Sequence, residues 1–137
     1  MFLIDTNIIS EARKGRKANR GALEFFTANA DEGRMYLAVQ TIGELRQGVE
    51  KIRARGDEVQ AKVLEKWLDA TIQVYSDKIL DFDEESAQVW GRLMSQNNQN
   101  PIDKQIAAIA LIHDLTIVTR NTADFAETGV RIINPFE

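Results

Sequence analysis

The sequence predicts an α/β fold built on a mostly parallel sheet covered by helices on both faces. Three observations predict it. Five short β-rich runs alternate with longer segments of helical period. The runs are almost continuously apolar, as strands buried on both faces are. A chain of 137 residues, 44% of them hydrophobic, is long enough for one domain with a proper core and too short to divide comfortably into two. The expectation is therefore a single domain over residues 1–137.

The first run is "FLID" (2–5), in which Phe2, Leu3 and Ile4 lead without a charge into Asp5. The following "TNIIS" opens a helix for which Thr6 or Asn7 could serve as cap. Five of the eight residues from Arg13 to Arg20 are basic (Arg13, Lys14, Arg16, Lys17 and Arg20), forming either a solvated loop or a phosphate-contacting patch. Ala22, Leu23, Phe26 and Ala30 mark the next helical stripe, and "MYLAV" (35–39) the second strand. Two arms then carry the stripes Ile42, Leu45, Val49, Ile52 and Val63, Leu64, Trp67, Leu68, Thr71, Ile72. The Gly56-Asp57 pair between them reads as the turn of a helical hairpin. "KILDF" (78–82) is the third strand, and Ala87, Trp90 and Met94 mark the helix after it. A polar loop, "SQNNQN", precedes Pro101, and Ile106, Ile109, Ala110 and Ile112 fall on a more fully buried helix. "LTIVTR" (115–120) and "VRIIN" (130–134) complete the strands.

Composition excludes several chemistries. Without cysteine there is no disulfide, thiolate metal site or cysteine nucleophile. The single histidine, His113, lies on an apolar helix, where packing is its expected role, and one histidine rules out paired-histidine or Ser-His-Asp mechanisms. The longest apolar run, "IAAIALI" (106–112), falls far short of the ~20 residues that span a bilayer, and the N-terminus has no basic-then-apolar signal; a cytoplasmic protein is expected. Carboxylates remain as the obvious reactive groups.

Ligands of parallel α/β sheets bind beyond the carboxyl ends of the strands. Asp5 ends the first strand, Glu44 lies shortly after the second, and Asp124 shortly after the fourth. Asp103 opens the helix before the fourth strand, and the rule alone does not bring it to that edge. Each of three acids also has a local explanation. Thr41-x-x-Glu44, Asn100-x-x-Asp103 and Asn121-x-x-Asp124 match or nearly match the capping box, with Pro101 in a first-turn position. Asp5 is the acid whose capping explanation is weakest. If all four converged, each pair ~5 Å apart would repel by about 3 kcal/mol at an effective dielectric near 20. A divalent cation turns that repulsion into shared attraction, and oxygen-only ligands favour Mg²⁺ or Mn²⁺ over Zn²⁺.

Taken in order, "FLIDTNIIS", "TIGELRQGV", "DKQIAAIAL", "TIVTRNTADF" and the closing "INPFE" resemble a PIN-domain protein, and within that family the bacterial VapC toxins of the FitB-like group. The resemblance implies a three-layer α/β/α domain with a central parallel sheet. It implies a catalytic and metal-binding quartet of Asp5, Glu44, Asp103 and Asp124 that hydrolyses RNA through a water activated by Mg²⁺ or Mn²⁺. Asn7 and Asn121 would support the site by hydrogen bonds, with the Thr119 hydroxyl at its edge. The partners implied are an RNA substrate, a second copy in a homodimer, and a VapB-like antitoxin whose C-terminal segment covers the site. The hairpin arms around Gly56 offer helical surface for an antitoxin helix. Arg13, Lys14, Arg16, Lys17 and Arg20 are the expected substrate contacts, together with Lys104 and Arg120. One departure is "NNQNPID", where many relatives carry a glycine and a basic residue ahead of the third acid. The rival readings are an inert α/β binding module and a haloacid-dehalogenase-like phosphatase. The phosphatase would need a second Asp where this chain has Asn7.

Overall fold

The computed structural model describes residues 1–30 and 33–136; Glu137, the last letter of "INPFE", lies outside them. Five strands, β1 (Phe2–Ile4), β2 (Met35–Ala38), β3 (Ile79–Leu80), β4 (Thr116–Val118) and β5 (Ile132–Ile133), form one sheet in the order β3-β2-β1-β4-β5. Every neighbouring pair is parallel. The paired strands are shorter than the apolar runs that announce them. Val39 already belongs to the next helix, and only two residues each of "KILDF" and "VRIIN" pair, because β3 and β5 are edges with a single neighbour.

Side chains alternate between the two faces, and both faces are covered. Leu3 and Ile117 point into a core shared with Ile106, Ala107, Ile109 and Ala110 of α6 (Pro101–His113), with Leu93 of α5 (Glu84–Gln96) packed against it. Ile4, Leu37 and Val118 point the other way, toward Ile8 and Ile9 of α1 (Thr6–Ala12), Leu45 and Val49 of α3 (Val39–Ala54), and Leu68 of α4 (Glu58–Val74). Phe25 and Phe26 of α2 (Arg20–Asn29) close that side. The result is a three-layer α/β/α sandwich. Single-stripe readings over-assigned some positions: Leu23, Ala30 and Val63 are exposed, since each lies at the margin of its helix's buried stripe.

The hairpin turn falls where the sequence puts it. Gly56 takes φ +91, a left-handed conformation that glycine adopts without steric cost, and Asp57 caps α4 by accepting from the Gln60 N–H at 3.1 Å. Arg53 fastens the two arms, pairing with Glu50 at 2.5 Å and with Glu58 and Glu65 at 3.2 Å. Among the described residues no helix is long and apolar enough to cross a membrane.

Two features of the topology fix where a ligand can bind. From β1 the chain builds outward through β2 and β3, then returns to the other side of β1 with β4 and β5. That reversal opens a crevice beyond the carboxyl ends of β1 and β4. Helix α6 has 13 residues, so it is about 20 Å long. It feeds β4 through a connection of two residues, and its first turn therefore lies back at the carboxyl edge.

Candidate metal centre

Asp5 is the residue at which β1 ends. Its N–H donates to the Val118 carbonyl at 2.9 Å, continuing the β1–β4 ladder, and its backbone is still extended. The buried side chain is held on both oxygens. Oδ1 accepts from the Thr6 N–H at 2.9 Å, and Oδ2 accepts from the Thr119 hydroxyl at 2.8 Å and from Asn7 Nδ2 at 3.2 Å. Thr119, fully buried just past β4, accepts from the Asn121 N–H at 3.0 Å. Asn7 Oδ1 in turn accepts from the Arg120 N–H at 3.0 Å. Asn7 and Thr119 thus tie the ends of two strands together through side chains. Asn121 contributes its backbone N–H.

Glu44 stands in the second turn of α3, and its Oε1 accepts from the Thr6 hydroxyl at 2.6 Å. Thr6 therefore bridges two of the four acids, donating its N–H to Asp5 and its hydroxyl to Glu44. Sequence reasoning took Thr6 only for a possible cap. Its position directly after the strand-end acid was the available signal.

Asp103 and Asp124 stand in the first turns of α6 and of a 3-10 turn, Thr122–Phe125. Neither carboxylate accepts a hydrogen bond among the described residues. Burial pushes the Asp5 carboxyl up, the bonds from Thr119, Thr6 and Asn7 oppose it, and the charge of Asp124 adds to the rise. Burial also raises Glu44, against the bond from Thr6 and with the charge of Asp5. Asp103 is pushed up to about 6, first by burial and then by the charges of Asp5, Asp124 and Glu44, with only Lys104 opposing. All four acids share one electrostatic neighbourhood at the topological switch point.

The capping pattern turns out inverted. Helix α3 begins at Val39, so Thr41 is inside the first turn, fully buried with its hydroxyl unpaired, and caps nothing. Asn100 precedes α6 at φ +54 and Asn121 precedes the 3-10 turn, and neither side chain makes a capping bond. Asp5, the acid with the weakest local explanation, is the one that caps a helix, while Thr6 and Asn7 lie within α1.

These donors suit a hard cation, since all of them are carboxylate oxygens. Among the described residues no three acids already stand in coordinating geometry. Asp5 is held by hydrogen bonds on both oxygens, whereas the Asp103 and Asp124 carboxylates accept none among the described residues.

The basic candidates separate. Arg16 and Lys17 are exposed in a 3-10 turn, Gly15–Lys17, and make no ion pair among the described residues. Lys14 pairs with Glu11 at 3.0 Å, Arg20 with Glu24 at 3.2 Å, and the Arg13 guanidinium lies 5.8 Å from the Trp67 ring centre. Glu11 also accepts from the Asn19 N–H at 2.7 Å, fixing the far end of this loop. Lys104 is not on a substrate-facing surface: it is 5% exposed and its ammonium donates to the Gln99 carbonyl. Arg120 is exposed, stacked 5.0 Å from the Phe136 ring centre. His113 is exposed in the last turn of α6, on the solvent side of the helix, and not packed.

The sequence pattern of the PIN domain matches residues 2–130. The chain is 33% identical to the plasmid stability protein StbB of Pseudomonas syringae pv. tomato, over 100% of this chain and 99% of that one. It is 30% identical to the VapC ribonuclease Y4jK of Sinorhizobium fredii, with 100% and 99% covered. The solved structure of FitAcB from Neisseria gonorrhoeae superposes with a TM-score of 0.84 at 29% identity, covering 98% of each chain.

Proposed function

This chain belongs to the PIN-domain family, and from that premise we propose that it is a metal-dependent endoribonuclease, the toxin of a VapBC-type toxin–antitoxin pair. The observation that carries the reading is the rise of the Asp103 carboxyl, caused first by its burial and then by the charges of Asp5, Asp124 and Glu44, which all bear on it at the sheet's switch point. Four carboxylates whose charges bear on one another have a use when a cation joins them. The relative described as a VapC ribonuclease, aligned along essentially its whole length, supports the same reaction class.

Asp5, Glu44, Asp103 and Asp124 would hold one or two Mg²⁺ or Mn²⁺ ions. When bound, such an ion supplies the positive charge that favours a water nucleophile and neutralises the scissile phosphate. The protein's own part is to orient and to hold. Asp5 is preset by three hydrogen bonds, Glu44 is aimed by Thr6, and Asp103 and Asp124 offer carboxylates that no hydrogen bond occupies among the described residues. Arg16 and Lys17 offer phosphate contacts along the RNA backbone.

A VapB-like antitoxin as partner, a homodimer, a cytoplasmic location and a single catalytic domain over 1–137 complete the proposal. The phosphatase reading loses support because Asn7 occupies the position of the second acid, its amide committed to Asp5, Thr119 and the Arg120 N–H. The test is incubation of antitoxin-free protein with total RNA and Mg²⁺ or Mn²⁺, with chelator and Asp5→Asn as controls. Cleavage lost in both controls supports the proposal. Cleavage surviving both overturns it, and absence of cleavage together with absence of metal binding by calorimetry favours the inert binding module.

A further inference from the structure

The amide-rich loop "SQNNQN" has no part in the quartet, yet it borders it. A cleft of about 220 Å³ opens beside Asp124, lined by Asn97, Gln99, Asn100, Lys104, Glu127 and Thr128. That volume is below the 300–1,000 Å³ of drug-sized ligand pockets and suits one planar ring.

The cleft is a built site. The buried Lys104 ammonium reaches up from α6 to the Gln99 carbonyl and pins the loop from beneath. Asn97 fastens it from the side, accepting from the Gln99 N–H at 2.9 Å and donating to Glu127 at 3.2 Å. Trp90 Nε1 donates to the Pro101 carbonyl at 3.0 Å and fixes where the loop joins α6. With these groups committed, the Gln99 and Asn100 side-chain amides are left exposed at the cleft with no partner among the described residues.

We propose that this cleft, through the Gln99 and Asn100 amides, reads the edge of one RNA base next to the phosphate that a cation on the neighbouring quartet would hold. The inference rests on the ribonuclease reading of the neighbouring quartet. A side-chain amide offers one acceptor and two donors on a planar group, the pattern that pairs in bidentate fashion with a base edge. Unpaired bases of single-stranded RNA are the ones open to such contacts. Lys104 acts here as a positioning residue: it shapes the loop and touches no base.

Two measurements test the proposal. The first is NMR titration of the full-length protein with each of the four nucleoside 5′-monophosphates, following the side-chain amide signals. The Gln99 and Asn100 signals should move with one or two of the four bases. The second is sequencing of the ends produced from a random single-stranded RNA pool by wild type and by Gln99→Ala/Asn100→Gly, the glycine chosen because it accepts the left-handed backbone at position 100. Wild type should favour one base at a fixed place beside the cut, and the variant, melting at the same temperature, should lose about tenfold of that discrimination. Amide signals that ignore all four bases, or an unchanged preference in the variant, overturn the proposal. Base-selective shifts in a protein that cuts no RNA support the subsite and overturn the ribonuclease reading instead.

Discussion

Thr119 and Asp5 are separated by 114 positions in the sequence and joined by a 2.8 Å hydrogen bond from the hydroxyl to the carboxylate. The bond spans the switch point of the sheet, from the end of β4 to the end of β1. It presets the one acid of the quartet that is anchored on both oxygens.

Thr119→Val keeps the shape of the side chain and removes its hydroxyl. The buried carboxylate loses a donor, and the Asn121 N–H loses its acceptor. A bond to a charged group contributes about 1.5–3 kcal/mol. Urea denaturation at pH 7 should register a loss of that order, and RNA cleavage should fall more than tenfold. Unchanged values of both would show that the bond orders nothing.

The elevated Asp103 gives the metal-free protein an unusual pH dependence. Its folded value of about 6 lies above the ordinary 3.8, so the folded state binds the extra proton between those values. Stability must then rise as pH falls from 7 toward 5, the reverse of a salt-bridged carboxylate. Burial and the charges of Asp5, Asp124 and Glu44 cause the effect, and solvent around this half-buried group screens it, leaving about 0.5–1 kcal/mol. Denaturation in chelator at pH 7, 6 and 5 measures the trend. In Asp103→Asn it should shrink, leaving only what the raised Asp5 and Glu44 carboxyls contribute.

Metal binding should reverse the ranking of those two proteins. Without metal, Asp103→Asn relieves repulsion and should melt above wild type. With Mn²⁺ at a hundred times its dissociation constant, wild type should gain about 2.7 kcal/mol, and the variant far less. Melting scans with and without the ion give the comparison, and equal gains would remove Asp103 from the ligand set.

Within the 13–20 cluster, Arg16 and Lys17 are the exposed cations with neither an ion pair nor a ring contact among the described residues, and they should contact phosphate. Replacing both with Ala should weaken single-stranded RNA binding at all sequences alike and lower the log–log salt slope by about 1.4. The control pair Lys14→Ala/Arg20→Ala, whose charges already face Glu11 and Glu24, should change the slope less. Equal slopes for both pairs would contradict the assignment.

The fold was legible because the sheet is buried on both faces. Runs such as "FLI" and "TIV" have to be continuously apolar when Leu3 faces α6 and Ile4 faces α1. The hairpin was legible because Gly56 and Asp57 act locally. The caps were not, because where a helix starts depends on packing: α3 starts at Val39, directly behind β2, and leaves Thr41 buried in its first turn. Nor does spacing reveal that Thr6 bridges Asp5 to Glu44, or that Lys104 turns away from solvent toward Gln99. Each of those facts depends on which elements the topology brings together.

The most direct test of the account is the rate of RNA cleavage against Mn²⁺ concentration for wild type and Asp103→Asn, both shown to be folded. Wild-type activity should rise to saturation, disappear in chelator, and exceed that of the variant by about a hundredfold or more, the scale on which removing one group that stabilises transition-state charge is felt. Equal rates for the two proteins, indifferent to both metal and chelator, would contradict the claim that these four acids form a metal-dependent ribonuclease site.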